Sequence, residues 1–428
     1  MLSDDLDFLY GLYREGIKLD LSMTKEFSRR LGNPEDSFKS FHIAGTNGKG
    51  STSAYIYNTL MRKYSTGLYT SPHLIRFNER IIARREPITD NEISDFINEN
   101  RELVADLSKE NRNPTFFEAT TIMAFKYFAS KGVDYASVEV GLGGRLDSTN
   151  ILTPEVSIIT QVGYEHADKL GCSLTSIAME KAGIIKPGVP VVLGDSKKEV
   201  VDTVRKQAEA RGSDFLHVPK LASITGLQQD LNGSRFLLTT PKKEYNITTG
   251  LIGKFQPINI ATAVIALENS GVPGITKREV EAGIKNTKWP GRMDIIRKDP
   301  IVMVDGAHNP PAANALKLSI KELDIKSPLL LVGMLSDKDS FSFLRIMREI
   351  SDRIVFTSPG EPTRDVKPEK LKDVSSSIFK NSKVIEDPID AYNYAVENSE
   401  FVLVTGSLYL VGAIMKHQNS PVMPFYRD

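Results

Sequence analysis

The chain lacks the features that mark several large classes of protein. Cysteine occurs once, at Cys172, which excludes an internal disulfide framework and a cysteine-rich metal site. Net charge is zero, with 54 Lys and Arg against 54 Asp and Glu, so a nucleic-acid role has no electrostatic support. No apolar run approaches the ~20 residues needed to span a bilayer. The opening stretch MLSDDLDFLYGLYREG is acidic and amphipathic and does not read as a signal peptide. No internal repeat or low-complexity segment is evident. A cytoplasmic monomer with no membrane or nucleic-acid partner is the expectation that remains.

What is present is ordinary in bulk and specific in detail. Hydrophobic residues make up 40% of the chain and charged residues 25%, as in globular proteins generally. At 428 residues, two or three domains are expected, at roughly 150 residues each. The informative stretch is Phe41 to Ser53, FHIAGTNGKGSTS. Phe41 to Ala44 reads as a buried strand, Gly45 to Ser51 as a glycine-rich turn, and Thr52 to Arg62 as a helix. Such a unit cradles phosphate, because glycines let backbone N–H groups converge and the helix start adds partial positive charge. Lys49 is placed for the outer phosphates, and Ser51 or Thr52 for magnesium. The spelling departs from the common phosphate-loop pattern, with Ile43 where a glycine is usual and Gly50 directly after the lysine. It also fits a plain tight turn.

Downstream, strand and helix patterns alternate, which argues a mostly parallel, doubly wound α/β sheet. Helices are expected over Asp5 to Lys18, Met23 to Leu31, Pro114 to Ser130, Ser173 to Ile185, Val200 to Arg211, Phe255 to Asn269 and Lys277 to Asn286. Thr89-Asp90-Asn91-Glu92 has a capping-box spelling and opens a long helix to about Lys109. Strands are expected at Thr66 to Thr70, Val133 to Val140, Val156 to Val162 and Pro190 to Gly194, with a hairpin over Ser234 to Thr249. Thr287 to Arg292 reads as a linker. Five further strand candidates follow it, Ile301 to Val304, Leu329 to Val332, Arg353 to Thr357, Lys383 to Ile385 and Phe401 to Val404, and suggest a smaller Rossmann-like unit. The expected division is residues 1–288, a linker at 289–296, and residues 297–428.

Three strand ends in the first unit present oxygen or imidazole groups near the glycine-rich turn: Ser71, Glu139 and His166. Active groups of open α/β sheets sit at such ends. Magnesium prefers oxygen ligands and shares substrate phosphates, which suits Ser71 and Glu139, with His166 a less usual partner. Each also has a plainer reading, as a turn serine, a paired buried carboxylate and a loop histidine. Lys181 reads most simply as a surface lysine with a buried stem. In the second unit, Asp305 follows a strand and suits a ribose hydroxyl. His308 can donate a hydrogen bond to a carboxylate. Thr405-Gly406-Ser407 is a second anion cradle or a turn.

Taken together, HIAGTNGKGST, GLYTSPHLIRFNERI, FFEATT, VEVGLGGRLDSTN, EKAGIIKPGVPVV, the Trp289-Pro290-Gly291-Arg292 linker, VDGAHNP and VTGSLYL resemble the folylpolyglutamate synthase family and its dihydrofolate synthase relatives. The wider superfamily includes the muramyl ligases, which carry a further domain before the phosphate loop; about 40 residues there leave no room for a typical domain. The resemblance implies ligation of L-glutamate to a folate carboxylate, with ATP and magnesium and an acyl phosphate intermediate. A monovalent cation such as K+ is plausible from the family.

Carried over residue by residue, the resemblance places the triphosphate on Thr46, Asn47, Gly48, Lys49, Gly50 and Ser51. It makes Ser71, Glu139 and His166 magnesium ligands, and Lys181 a carbamylated one. Asn259, Arg292 and Asp305 would hold the nucleotide, His308 and Ser407 would lie near incoming glutamate, and Phe117, Leu146 and Asp147 would lie near the pterin. Lys49, Glu139, His166 and Lys181 are the residues expected to carry the chemistry. Two departures stand out: Glu165 where the family more often has Asp, and Ser148 where many dual-function members have alanine. Dihydropteroate is the alternative acceptor. An ATPase or nucleotide-binding module without synthetic activity is the alternative of another class.

Overall fold

The computed structural model describes residues 2–12, 16, 20–109, 113–361 and 363–424. The first sheet is built from β1 (Lys39–Ala44), β2 (Thr66–Tyr69), β3 (Ile81–Ala83), β4 (Glu86–Pro87), β5 (Tyr135–Glu139), β6 (Val156–Ile159), β7 (Val191–Leu193) and β8 (Phe215–His217). Their order is β4-β3-β2-β5-β1-β6-β7-β8. The run from β2 to β8 is parallel, and β3 and β4 add an antiparallel edge.

The apolar spelling of these strands follows from cover on both faces. Phe41 and Ile43 of β1 pack with Tyr55, Ile56 and Leu60 of helix Lys49–Leu60 and with Val264 of helix Gln256–Glu268. Ala136 and Val138 of β5 pack on the other side with Ile122 and Phe125 of helix Phe116–Ser130. The register aligns Ile43 with both Glu139 and Ile158, and Tyr69 with Val138. The C-terminal ends of β1, β2, β5 and β6 therefore open on one edge.

A three-stranded meander follows, β9 (Ser223–Asp230), β10 (Gly233–Thr239) and β11 (Glu244–Thr249), in order β11-β10-β9. The hairpin is where the alternation predicts it. β9 escapes that reading because it is mostly exposed, so it carries no apolar alternation. The last sheet contains β12 (Asp294–Lys298), β13 (Ile301–Val304), β14 (Leu329–Val332), β15 (Ile354–Phe356), β16 (Ser382–Val384) and β17 (Phe401–Thr405), in order β12-β13-β17-β14-β15-β16. Five of these strands are parallel, and β12 pairs antiparallel with β13, making this a mixed α/β sheet. β12 starts inside 289–296, where a linker is expected.

The first helix is described over Leu2–Gly11; positions 13–15, 17 and 18 of the expected helix lie outside the described residues. The capping box at Thr89 forms as spelled, with Thr89 N and Oγ1 both donating to Glu92 Oε2 at 2.8 Å. Among the described residues no helix is long and apolar enough to cross a membrane.

Candidate active site

A cavity of about 470 Å³ lies where the open edges of the two sheets face each other. Its walls include the Gly45–Ser51 loop, Ser71, Glu139, Glu165 and His166 from the first sheet, and Arg292, Asp305, His308 and Ser407 from the second. Phe117, Leu146, Asp147 and Asn259 also line it. Of the residues singled out in the sequence, Thr52 and Lys181 stand behind the wall, Lys181 reaching it through Glu165.

The glycine-rich loop is built as a cradle. The helix begins at Lys49, three residues earlier than its periodicity suggests, so the N–H groups of Lys49, Gly50 and Ser51 belong to the first turn, where no intrahelical carbonyl is available. Gly48 caps it at φ +89°, and a Cβ there would lie 2.5 Å from Asn259 Oδ1. At Gly50 a Cβ would lie 2.4 Å from the Trp289 ring. Both positions need glycine, because other side chains of the site press on the loop. Lys49 Nζ donates to the carbonyls of Gly45 and Thr46 at 3.0 and 3.3 Å.

Behind the loop lies a charged pair. Lys181 is 1% exposed, which overturns the surface-lysine reading. Helix Leu174–Ala182 buries it against Glu165, with Lys181 Nζ 2.6 Å from Glu165 Oε1. The same oxygen accepts from Thr46 Oγ1 at 2.9 Å, and Thr46 Oγ1 in turn accepts from Gly163 N at 3.0 Å. Burial opposes ionisation of Glu165, yet Lys181 and Lys49 together hold its carboxyl at about 2. Burial pushes the Lys181 ammonium down, with Glu165 working against it. Glu165 thus ties the phosphate loop to Lys181, a role its place one residue before His166 did not disclose.

Glu139 is 5% exposed and accepts from Ser71 N at 3.3 Å. Burial raises its carboxyl above the ordinary value, with Lys49, the Ser71 N–H, Arg292 and Arg80 opposing. His166 sits at φ +44°; burial and then Lys338 lower its pKa, which favours the neutral imidazole. Among the described residues, no group of three or more His, Cys, Asp and Glu side chains comes together to hold a metal ion. The donors fit a magnesium ion that takes a carboxylate and a hydroxyl from the protein and the rest from phosphate and water. Lys181 as a free amine is a hydrogen-bond donor and does not fit that shell.

Asp305 accepts from Met293 N at 2.9 Å and Ala307 N at 2.8 Å, one on each carboxylate oxygen. It therefore clasps the linker to the second sheet. His308 Nδ1 donates to Gly306 O at 2.8 Å, and burial, then Lys338, pushes its pKa to about 4. Its Nε2 is then an acceptor, so the donor role read from sequence does not hold for the neutral ring. Ser407 caps helix Leu408–His417, accepting from Tyr409 N at 3.1 Å. Asp147 accepts from Thr149 Oγ1 at 2.5 Å and from Leu142 N at 2.8 Å, which shapes the loop beside Phe117.

Three lining cations were missed: Arg80, Lys338 and Arg364. Lys338 and Arg364 share Asp337, at 2.8 and 3.1 Å. Arg80 lies inside the segment GLYTSPHLIRFNERI that carries the resemblance, between Phe77 and the apolar β3, while Lys338 is marked only by its place in the loop that follows β14.

The comparisons with known proteins agree with this architecture. Residues 43–267 match the Mur ligase middle domain, and residues 291–408 match the Mur ligase glutamate ligase domain. The chain is 35% identical over 425 residues to the dihydrofolate synthase/folylpolyglutamate synthase of Bacillus subtilis, covering 96% of this chain and 98% of that protein. It is 31% identical over 422 residues to the Escherichia coli protein of the same description, covering 97% and 95%. A folylpolyglutamate synthase of Mycobacterium tuberculosis, solved with ADP and AMPPCP, superposes with a TM-score of 0.92 at 28% identity, covering 99% of this chain and 100% of that one. E. coli FolC in complex with DHPP and ADP gives a TM-score of 0.87 at 29% identity, covering 98% and 97%.

Proposed function

The chain belongs to the folylpolyglutamate synthase/dihydrofolate synthase family of the Mur ligase superfamily, and from that premise we propose that it joins L-glutamate to the terminal glutamate carboxylate of a reduced folate, using ATP. The carboxylate is a poor electrophile until one of its oxygens becomes a phosphate leaving group. Transfer of the γ-phosphoryl group makes the acyl phosphate, the amine of L-glutamate attacks it, and phosphate departs. The carrying observation is a single cavity in which the phosphate cradle of one sheet faces the Asp305–His308 and Ser407 loops of the other.

Each residue has a physical task in this reading. The first-turn N–H groups and Lys49 bind the triphosphate and offset charge during phosphoryl transfer. Asn259, Arg292 and Asp305 hold the nucleotide across the linker. Glu139 and Ser71, with His166 beside them, would hold magnesium, which when bound would neutralise phosphate charge. Lys181 would join that shell only as a carbamate, and burial favours the neutral amine that reacts with carbon dioxide. His308 Nε2, as an acceptor, would orient the incoming amine, with Ser407 beside it. Phe117, Leu146 and Asp147 would border the pterin. Closure of the two units excludes water from the acyl phosphate. The site works in a cytoplasmic monomer, without nucleic acid or membrane, and K+ would act outside the shell described.

Purified protein with ATP and magnesium, given L-glutamate and either tetrahydrofolate or dihydropteroate, tests this. ADP together with a product heavier by one glutamyl residue in the folate arm is expected. Product in the dihydropteroate arm would add the dihydrofolate synthase activity and leave Ser148 uninformative. ADP formed at the same rate without acceptor and glutamate would refute the ligase reading.

A further inference from the structure

Arg80 has no part in the steps above. It closes the turn Phe77–Arg80 that leads into β3, and it is 5% exposed. Its Nε donates to His73 Nδ1 at 2.8 Å. The guanidinium carbon lies 5.3 Å from the Phe116 ring centroid and 5.9 Å from that of Phe77. Among the described residues no carboxylate forms an ion pair with it. Glu79, its neighbour in sequence, gives its oxygens to the N–H groups of Leu74, Ile75 and Arg76.

A guanidinium carries five N–H donors in a rigid fork. Here His73 takes one and leaves four with no acceptor among the described residues. Burying a cation without an ion-paired carboxylate is costly; the two rings offset part of that cost, and Glu139 and Glu79 act on Arg80 only through space. The two rings and His73 fix the fork in the cavity wall, which Arg80 lines together with Ser71, Glu139 and Phe117. This is a preformed site for an anion that arrives with substrate.

Three anions enter the cavity in the proposed reaction. The ATP phosphates have the loop N–H groups and Lys49. The incoming glutamate has the second sheet, where His308, Ser407 and the cations around Asp337 stand. The folate is the aromatic substrate, and Arg80 lies on the aromatic wall. Its terminal glutamate carries a spare α-carboxylate beside the reacting γ-carboxyl, whereas dihydropteroate has only the carboxyl that reacts. Building on the function proposed above, we infer that Arg80 docks the α-carboxylate of the acceptor's terminal glutamate and so selects glutamate-terminated acceptors.

The test compares tetrahydrofolate with its α-carboxamide, which keeps the reacting γ-carboxyl. Wild type is expected to favour tetrahydrofolate by about 10- to 100-fold in kcat/KM, the worth of a charge-assisted bidentate contact. Arg80→Met keeps the stem against Phe116 and should bring that ratio to about one, through a raised KM for tetrahydrofolate. Arg80→Lys, with charge but no fork, should fall between, and it carries the test if the methionine variant melts early. A ratio that survives both substitutions overturns the inference. A change confined to the KM for ATP or for L-glutamate also overturns it, and assigns Arg80 to those substrates. Wild type that binds ATP but ligates neither acceptor refutes the proposed function itself, and the inference with it.

Discussion

Neutralising Glu165 without removing Lys181 isolates the energetics of the buried pair. Glu165→Gln keeps the shape and deletes the charge that offsets an ammonium only 1% exposed. Two routes give the magnitude. Held at about 2 against an ordinary 4.5, the carboxyl contributes about 3 kcal/mol at neutral pH. Breaking a buried ion pair from one side costs about 3–5 kcal/mol. A unit of this size loses roughly 2–4 °C of Tm per kcal/mol, so a cost of about 3–5 kcal/mol should lower the first unfolding transition by roughly 6–20 °C. The pH dependence has a definite sign. The Glu165 carboxyl is depressed, so its contribution is present above the unfolded value and is lost as pH falls through 4.5 toward about 2. In the variant, the unpaired lysine deprotonates more readily folded than unfolded, so its stability rises with pH toward 10.5 and the gap to wild type narrows. The double variant Glu165→Gln/Lys181→Met should recover most of the loss, because removing both charges of a buried pair is nearly neutral. Calorimetry in carbonate-free buffer reads all three. A single variant within about 1 °C of wild type, or a double variant as unstable as the single, refutes the reasoning.

Other residues allow shorter tests. Lys49→Ala should abolish ligation with little change in Tm, because Nζ donates to the exchangeable carbonyls of Gly45 and Thr46 and its attraction for the Glu165 and Glu139 carboxylates is offset by its repulsion of the Lys181 ammonium; near wild-type turnover would remove it from phosphate binding. Glu139→Gln should lose magnesium-dependent activity and yet melt higher at pH 7, since burial raises its folded pKa and so penalises the charged form. A lower melting temperature would contradict that sign. Gly50→Ala should cost about 1–3 kcal/mol by overpacking and raise the KM for ATP, with Trp289→Phe partly relieving both; an unaffected KM would uncouple the linker from the loop. His308 stays neutral down to about 4, so the pH–rate profile of wild type and of His308→Asn should differ in height but share any inflection near neutrality.

Much of this protein was legible in one dimension because its signals are local. Strands buried on both faces must be apolar throughout, which is why β13 and β14 were placed to the residue. The glycine-rich turn, the capping box at Thr89 and the restart after Trp289 depend on neighbours a few residues away. β9 and β12 were not legible, since an exposed or edge strand owes its pairing to a distant partner and carries no periodic burial. The motifs placed Ser71, Glu139, His166 and His308 at strand ends, and parallel register brought the first three to one edge.

Protonation and partnership were decided only by the tertiary structure. Lys181 looks like a surface lysine until helix Leu174–Ala182 buries it against Glu165. His308 looks like a donor until Gly306 O fixes its tautomer. Asp305 looks like a ligand for ribose alone until both of its oxygens are found holding the linker. Arg80 looks like any charged loop residue until it is found buried beside two aromatic rings and, among the described residues, without an ion-paired carboxylate. Sequence determined which groups exist and at which strand ends they emerge. Desolvation and the choice of partner arise from residues far apart in the chain, so only the fold could set their charges and their roles.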